Sequence, residues 1–295
     1  MLGLVVAAYG KRYEVELDRI ELEAKQRISC VTRGKKTDLA CGDLVNIKLT
    51  DKAEGVVESS QPRKSLLYRS NAIKSKILAS NVTQIIIVLA TQPSFYEVLL
   101  NRCLIAAEAA KIKPLIVLNK CDLNDATDAK NKLKLYQNLG YEVVHLSAKQ
   151  DITALRPYLA NHQSVLVGQS GMGKSTIINA LLPNQNVRTQ IMSEALDSGK
   201  HTTTATHLYH LDSKSSLIDS PGLQEFGLNH LSQFDLELAF VEFRPYLGKC
   251  RFNNCSHSHE PECAIIESIA QHKISAIRHA IYQVISTELR HNSAQ

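Results

Sequence analysis

Residues 165–182 read VLVGQSGMGKSTIINALL, in which an apolar run leads through a glycine-rich turn into a helical pattern. The turn matches G-x-x-x-x-G-K-[ST], the phosphate-loop motif, at every fixed position. Backbone N–H groups in such a turn surround phosphate oxygens at the start of a helix. We expect Lys174 to neutralise the β- and γ-phosphates during catalysis and Ser175 to ligate Mg²⁺. The residues predicted to contact the nucleotide here are Gly168, Gln169, Ser170, Gly171, Met172, Gly173, Lys174, Ser175 and Thr176.

Strands and helices alternate on both sides of this loop. Gln84–Ala90 is predicted as a strand, because six of its seven residues form a continuous apolar run, as expected for a strand buried on both faces of a sheet. Further strands are predicted at Leu115–Leu118, Val143–Leu146, Val165–Val167, Leu208–His210 and Leu217–Ile218, and helices at Tyr96–Lys111, Asp125–Leu139 and Lys174–Leu182. This alternation predicts a mostly parallel α/β sheet.

The two ends of the chain have different patterns. Residues 1–60 carry five short β-rich runs, which suit a small barrel of the OB or SH3-like kind, and the pattern alone does not choose between them. After residue 222 the strands stop, and three segments are helical in pattern: Leu236–Phe243, Cys263–His272 and Ile274–Leu289. The chain of 295 residues therefore suits two or three domains.

Composition excludes several classes of protein. Hydrophobic residues make up 44% and charged residues 21%, which predicts a globular protein. The longest apolar run, Ile85–Ala90, is far shorter than the roughly 18 residues of a membrane helix. The N-terminal segment lacks a basic region and alternates like a strand, so we expect a cytoplasmic protein without membrane attachment. Seven cysteines without a secretory signal predict no disulfide framework, and the absence of heptads makes a monomer the default.

The net charge of +5 is concentrated at the two ends. The stretch 61–76, QPRKSLLYRSNAIKSK, holds five basic residues and no acidic one. One interpretation is a solvated linker, which the pattern favours; the other is a strip that contacts the phosphates of a polyanion.

A second motif, Asn119-Lys120-Cys121-Asp122, follows the strand at Leu115–Leu118. Asp122 can accept hydrogen bonds from the N1–H and exocyclic amine of guanine, a donor pair that adenine lacks. Asn119 can brace a neighbouring loop or the base, and the Lys120 stem can pack over the base plane. Ser147-Ala148-Lys149 follows the next strand and can close the base pocket. Phosphate loops occur in ATPases, kinases and GTPases alike, and Asp122 favours a GTPase.

Two further segments fit the nucleotide-sensing switches of a GTPase. Asp219-Ser-Pro-Gly222 follows a strand and fits D-x-x-G, in which Asp219 holds the Mg²⁺ shell through water and the Gly222 N–H meets the γ-phosphate. Gly199-Lys-His-Thr-Thr-Thr204 supplies threonines for Mg²⁺ ligation. Thr203 is favoured, with Thr202 and Thr204 left open.

The sequence shows no obvious side chain that would orient the attacking water. Many GTPases place a Gln directly after D-x-x-G to orient the attacking water, and here that position is Leu223. Either hydrolysis is slow, or another residue places the water. His201 in the switch segment is the candidate, and its alternative interpretation is a surface loop histidine.

The order of these motifs is permuted. Most GTPases run from phosphate loop through switch threonine and D-x-x-G to N-K-x-D and S-A-K, whereas this chain begins with N-K-x-D and ends with D-x-x-G. Permutation relocates the termini and leaves the sheet intact. The chain leaves the sheet just after D-x-x-G, so we expect movement of that switch to pull on residues 223–295.

A cysteine-rich cluster lies in the C-terminal region. Cys250, Cys255, His257 and Cys263 offer three thiolates and one imidazole within 14 residues, with His259 as a second-choice ligand. Softness and spacing favour tetrahedral Zn²⁺. Four protein ligands leave no open coordination position, so the predicted role is structural.

Taken together, the permuted order and the motifs GQSGMGKS, GKHTTT, DSPGL and C-x₄-C-x-H-x₅-C closely resemble the RsgA (YjeQ) family of bacterial circularly permuted GTPases, over nearly the whole chain. The resemblance implies a GTPase that binds the small ribosomal subunit, acts late in its maturation, and hydrolyses GTP faster on the subunit. It implies GTP or GDP, Mg²⁺ and one structural Zn²⁺ as cofactors, Zn²⁺ ligation by Cys250, Cys255, His257 and Cys263, and a role for His201 in hydrolysis.

The resemblance also refines the domain organisation. It implies an OB-like β-barrel in 1–62, a basic linker in 63–80, a circularly permuted P-loop GTPase domain in 81–222 and a helical zinc-binding unit in 223–295. The resemblance implies that the barrel offers a surface for rRNA. Tyr9 and Tyr13 either stack on bases at that surface or pack inside the barrel. The basic residues that become candidate rRNA contacts are Arg63, Lys64, Arg69, Lys74 and Lys76. A competing hypothesis is an RNA-binding scaffold for which nucleotide is only a folding ligand.

Overall fold

The structure is a computed structural model of the chain. It describes residues 1–17, 26–33, 39–70, 75–123, 126–183, 206–219 and 228–293. Within these ranges, no helix is long and apolar enough to cross a bilayer.

The N-terminal unit is a closed five-stranded barrel. Its strands are β1 (Leu2–Tyr9), β2 (Arg12–Leu17), β3 (Gln26–Thr32), β4 (Leu44–Leu49) and β5 (Glu54–Ser60). They pair in the order β1-β2-β3-β5-β4, and β4 returns to β1 to close the barrel. The β3–β5 pair is parallel and the others are antiparallel, which is the OB-like arrangement and resolves the choice left open by the sequence pattern.

The barrel interior is filled by alternate residues of its strands, as the period of two requires. Tyr13 is only 2% exposed and lies in this core, so it packs internally and is unavailable for stacking on a base. The other buried members are Val5, Val15, Leu17, Ile28, Cys30, Val45, Ile47 and Val57.

In the described residues, the central domain forms a six-stranded sheet. Five parallel strands lie in the order β10 (Glu142–His145), β9 (Lys113–Asn119), β8 (Gln84–Ala90), β11 (Gln163–Val167) and β13 (Ser216–Asp219). β12 (Thr206–His210) then joins β13 antiparallel. The helices are α1 (Glu97–Ala109), α2 (Ala126–Asn138), α3 (Arg156–Leu159, after a 3₁₀ turn at Thr153–Leu155) and α4 (Lys174–Leu181). The predicted mostly parallel α/β sheet is confirmed.

Across the part of the chain that the structure describes, the barrel and the central sheet form one hydrogen-bonded sheet of eleven strands. β1 pairs antiparallel with β12, with Ala7 opposite His207 and Ala8 opposite Thr206. Side chains reinforce this β1–β12 seam: the buried Glu16 of β2 lies 2.7 Å from His210, measured from carboxylate Oε1 to ring Nε2. The sequence does not predict this seam, because it consists mainly of backbone pairing.

The stretch predicted as a basic linker contains an antiparallel hairpin, β6 (Leu66–Ser70) and β7 (Ser75–Ser80). Arg63, which precedes it, donates from Nε and Nη2 to the two carboxylate oxygens of Asp43, each at 2.7 Å. Asp43 is only 1% exposed and lies in the barrel. The Arg63 guanidinium therefore fastens the hairpin entry to the barrel, and its expected role as an rRNA contact is not supported by this geometry.

The C-terminal unit contains α5 (Gln233–Ala239), a 3₁₀ turn at Arg244–Tyr246, α6 (Ala264–Ala270) and α7 (Ala276–Ser293). α5 packs on α1 of the central domain, and the buried residues of both belong to one hydrophobic core.

A buried arginine fastens the unit further. Arg278 of α7 pairs with Glu242 and donates to Asn101 of α1, which itself donates to the Tyr136 hydroxyl of α2 at 2.8 Å. These contacts restrain the C-terminal unit against α1 and α2. The movement of residues 223–295 that the chain order predicts would therefore have to break a buried polar network.

Candidate functional site

The phosphate-loop motif lies where the carboxyl end of β11 meets the N-terminus of α4. Gly168 and Gly173 have φ angles of +146° and +94°, in the region that favours glycine. A Cβ on Gly168 would stand 2.3 Å from the carbonyl oxygen of Val88, and one on Gly173 would stand 2.3 Å from Nδ2 of Asn119. Both positions therefore admit only glycine without rearrangement of the neighbouring strand ends.

Lys174 folds back over the loop. Its Nζ donates to the carbonyl oxygens of Gly168 at 2.6 Å and Gln169 at 2.7 Å. Burial lowers the pKa of Lys174, while the nearby Asp219 acts in the opposite direction. Burial raises the pKa of Asp219 to about 6, although the Lys174 charge partly offsets the rise. The sheet edge thus holds a cation and a carboxyl beside the helix N-terminus, the set that phosphate and Mg²⁺ require.

Asn119 connects the predicted base-reading loops to the phosphate loop. It is buried at the end of β9, donates from Nδ2 to the Met172 carbonyl oxygen at 3.0 Å, and accepts at Oδ1 from the Ala148 N–H at 2.9 Å. Of its two predicted roles, the structure displays the bracing of neighbouring loops. One side chain therefore sets the spacing of three motifs that lie far apart in the sequence.

Asp122 and Ser147 meet at the solvent-facing rim of the same edge. Asp122 is exposed, and a hydrogen bond from the Ser147 side chain holds the pKa of Asp122 below its usual value. Lys149 and Lys120 add weaker effects in the same direction. A carboxylate that stays ionised here can accept from two N–H donors of a base.

The turn that follows β8 is part of the site and was missed by the sequence analysis. The Thr91 hydroxyl donates to the Lys120 carbonyl oxygen at 3.0 Å, and Lys120 Nζ donates to the Gln92 carbonyl oxygen at 2.7 Å. The Tyr96 N–H donates to the Gln169 side chain at 3.2 Å, which links the start of α1 to the phosphate loop. The available signal was the position of this turn at the carboxyl end of a parallel strand.

The described strands next to the two predicted switch segments each have one end at this site. β13 ends at Asp219, and the antiparallel β12 begins at the same edge, with His207 opposite Asp219. His201, Thr202, Thr203, Thr204, Gly222 and Leu223 lie outside the described residues.

The cysteine cluster forms a compact four-ligand site. The ligand atoms of Cys250, Cys255, His257 and Cys263 all lie within 4.8 Å of one another. The Sγ atoms of Cys250 and Cys263 are 3.8 Å apart, and His257 Nδ1 lies 3.6 Å and 3.4 Å from them. Bond lengths of about 2.3 Å to sulfur and 2.0–2.1 Å to nitrogen predict tetrahedral edges of about 3.8 Å and 3.6 Å. The donor set and these distances fit Zn²⁺, and His259 is not in the cluster.

A parallel sheet with a phosphate loop, an N-K-x-D loop and D-x-x-G in permuted order defines the class: a circularly permuted P-loop GTPase. Comparison with known proteins agrees. The model of the RsgA GTPase family matches residues 60–229. The chain is 48% identical to a Nitrosospira multiformis protein called small ribosomal subunit biogenesis GTPase RsgA, covering 98% of this chain and 91% of that protein. A Burkholderia pseudomallei protein of the same name is also 48% identical, over 99% of this chain and 92% of its own length.

Two crystal structures are similar throughout. YjeQ from Thermotoga maritima is 29% identical with a TM-score of 0.75, covering 98% of both chains. YloQ, described as a circularly permuted GTPase, is 26% identical with a TM-score of 0.71, covering 98% of this chain and 94% of its own. The chain belongs to the RsgA GTPase family and is a GTP-hydrolysing enzyme.

Proposed function

We propose that this GTPase binds the small ribosomal subunit during its late maturation, and that rRNA-stimulated hydrolysis of GTP lowers its affinity for the subunit. The name shared by the curated relatives, small ribosomal subunit biogenesis GTPase, supports the partner. Stimulation of hydrolysis by the subunit follows from the family resemblance, whereas the change in affinity with nucleotide state is our own inference from the geometry of the β1–β12 seam.

The seam is the observation that carries the proposal. His207 is paired on one side with Asp219 of the D-x-x-G motif and on the other side with Ala7 of the barrel. Only one strand thus separates the nucleotide-sensing carboxyl from the barrel. A nucleotide-dependent shift at the start of β12 would change the hydrogen bonds of β1 as well, and so move the surface through which an OB-like barrel contacts RNA.

We assign a separate role to each part of the site. We assign Lys174 and the loop from Gly168 to Thr176 to the phosphates, Ser175 and Asp219 to the magnesium site, and Asp122 to guanine. The Lys120 stem packs over the base plane, the loop Ser147-Ala148-Lys149 closes the base pocket, and Asn119 braces it. Mg²⁺, when bound, neutralises charge on the phosphates, and Zn²⁺ supplies a structural crosslink.

His201 as the group that places the attacking water, and Thr203 as the sensor of the γ-phosphate, remain part of this proposal. The arrangement of β12 supports them indirectly, since the strand begins at the edge that carries Asp219. His201→Ala should lower subunit-stimulated GTP turnover by tenfold or more while leaving GTP affinity within about twofold, because general acid–base and positioning groups contribute on the order of 10²–10⁴-fold.

The deciding experiment measures GTP turnover with and without purified small ribosomal subunits, with large subunits as the control. We expect strong stimulation by small subunits alone and weaker subunit binding with GDP than with a non-hydrolysable GTP analogue. Lys174→Ala should lose both effects. Nucleotide-independent subunit binding that Lys174→Ala retains would overturn the switch and favour the scaffold hypothesis.

The assignment of Asp122 has its own test. Asp122→Asn exchanges a double acceptor for a group with donors and should shift preference from guanine to xanthine nucleotides. Asp128→Asn is the matched control, since Asp128 is an exposed aspartate on α2 that pairs with the exposed Lys132. Unchanged guanine preference in Asp122→Asn would remove Asp122 from the base pocket.

A further inference from the structure

His257 is held in one orientation from two sides. Its Nδ1 faces the sulfur atoms of Cys250 and Cys263, at 3.6 Å and 3.4 Å, which leaves Nε2 on the opposite side of the ring. The side chain is buried, and its backbone has a φ of +57°. Its carbonyl oxygen accepts from Nε2 of His279 at 2.6 Å and from Nε2 of Gln283 at 2.7 Å. The backbone is therefore fixed by α7 independently of any ligand to the ring.

The outward ring nitrogen has an acidic neighbour. His257 Nε2 lies 3.6 Å from Oε1 of Glu237, a residue of α5. The same oxygen accepts from the Tyr282 hydroxyl at 3.4 Å. The Glu237 side chain is 18% exposed, so solvent competes little for it. Tyr282 is itself buried between Phe240 and Phe243, so the hydroxyl that orients the carboxylate is held by aromatic packing.

Metal-binding histidines commonly donate their second ring N–H to a carboxylate, which fixes the tautomer and raises the basicity of the nitrogen that binds the metal. Nothing in the spacing of the four ligands along the chain requires Glu237, which precedes the first of them by thirteen positions. Its approach to Nε2 is the product of the packing of α5 against α7.

We propose that Glu237 is a positioning residue of the metal centre, which accepts the Nε2–H of His257 and so presents Nδ1 to Zn²⁺. This inference rests on the proposed zinc site. It also connects that site mechanically to the GTPase domain, because α5 carries Glu237 and packs on α1. Zinc binding and the docking of the C-terminal unit would then stabilise each other.

The test compares Glu237→Gln with Glu267→Gln in the full chain. Glu267 is an exposed glutamate on α6 and serves as the matched control. Zn²⁺ affinity is measured by competition with a chromophoric chelator, and we expect Glu237→Gln to bind about 10–100-fold more weakly. Tyr282→Phe should weaken binding by a smaller factor, because the carboxylate stays but loses one donor.

A second readout separates positioning from a general loss of folding. In protein labelled with ¹⁵N-histidine, long-range ¹H–¹⁵N spectra of the zinc-loaded chain should show His257 bound through Nδ1 and protonated at Nε2. The shift of Nε2 should change in Glu237→Gln and stay unchanged in Glu267→Gln. Coordination through Nε2, or zinc affinity within twofold in Glu237→Gln with an unchanged Nε2 signal, would overturn the role of Glu237.

Failure of the zinc site itself is recognised separately. The Co²⁺-loaded wild-type chain should show the absorption of a tetrahedral thiolate site, which Cys263→Ser removes. If the wild-type chain binds no Co²⁺ or Zn²⁺ in this way, the four-ligand assignment is wrong, whatever the behaviour of Glu237→Gln.

Discussion

Arg278→Met tests how firmly the C-terminal unit is fastened to the GTPase domain. The Arg278 side chain is 0% exposed. Its Nε and Nη2 donate to the two carboxylate oxygens of Glu242 at 2.6 Å and 3.0 Å, and Nη1 donates to Asn101. The guanidinium carbon lies 4.4 Å from the centre of the Phe240 ring. Methionine has a similar length and no charge, so the substitution removes the cation with little change in volume.

The expected loss of stability is large. Removing one partner of a buried ion pair typically costs about 3–5 kcal/mol, because the remaining charge stays buried without a partner. That is a large fraction of the roughly 5–15 kcal/mol by which domains are stable. The double variant Arg278→Met/Glu242→Leu should recover most of the loss, since no unpaired charge remains. Arg251→Met, which breaks an exposed pair with Glu262, should cost no more than about 1 kcal/mol.

The assay is urea unfolding of the zinc-saturated chain followed by far-UV circular dichroism, together with amide hydrogen exchange in α1 and α7. We expect Arg278→Met to accelerate exchange in both helices, because Asn101 lies in α1 and Arg278 in α7. A loss of stability below about 1 kcal/mol, or faster exchange confined to α7, would falsify the view that the two units share one packed interface.

The remaining predictions concern the nucleotide site and the barrel. Asn119→Ala should lower the affinities for GTP and for GDP by at least tenfold in equilibrium binding, because it removes two buried hydrogen bonds that hold the surrounding loops. Affinities equal to those of the wild-type chain would contradict the bracing role. In zinc-saturated protein without nucleotide or Mg²⁺, the raised pKa of Asp219 means that the folded state binds this proton more tightly than the unfolded state does. The protonated carboxyl stabilises the fold fully below about pH 4, and this contribution is lost as pH rises through about 6. Over that range, urea titrations should show the free energy of unfolding of the wild-type chain falling by about 2–3 kcal/mol relative to that of Asp219→Asn. A difference that does not vary with pH would refute the raised pKa of Asp219. Arg63→Ala should lower the melting temperature, because it removes the partner of the buried Asp43. Lys64→Ala, at an exposed position, should leave the melting temperature unchanged and reduce the salt dependence of RNA binding. The reverse pattern would show that Arg63 contacts RNA.

Much of the fold was predictable because its signals are local. The strand at Gln84–Ala90 was predicted with its observed bounds, since a strand buried on both faces has a nearly continuous apolar run. The phosphate loop was predictable because its motif specifies backbone conformation directly, as the φ angles of Gly168 and Gly173 illustrate. The cysteine cluster was predictable for the same reason, since all four ligands lie within 14 residues.

Other features were hidden because their partners are distant and leave no periodic trace. The hairpin that contains Tyr68 was interpreted as part of a linker, because its polar residues mask the alternation of a strand. Arg63 became a candidate rRNA contact through the family resemblance, and the sequence alone gives no sign of its buried partner Asp43. Arg278 likewise gave no signal, since its burial depends on segments that converge from three parts of the chain.

The sequence by itself determined which chemical groups this protein carries: the glycine-rich phosphate-loop motif, the carboxylate of Asp122, the permuted order of the motifs and the soft side chains of the cysteine cluster. These follow from residue type and short spacing, which the covalent chain carries without folding. Only the tertiary structure decided how the parts are joined: the β1–β12 seam beside Asp219, the approach of Glu237 to His257, and the buried arginine under the C-terminal unit. Such contacts depend on the meeting of surfaces that are far apart in the chain, and their energy comes from burial and geometry that no local pattern records.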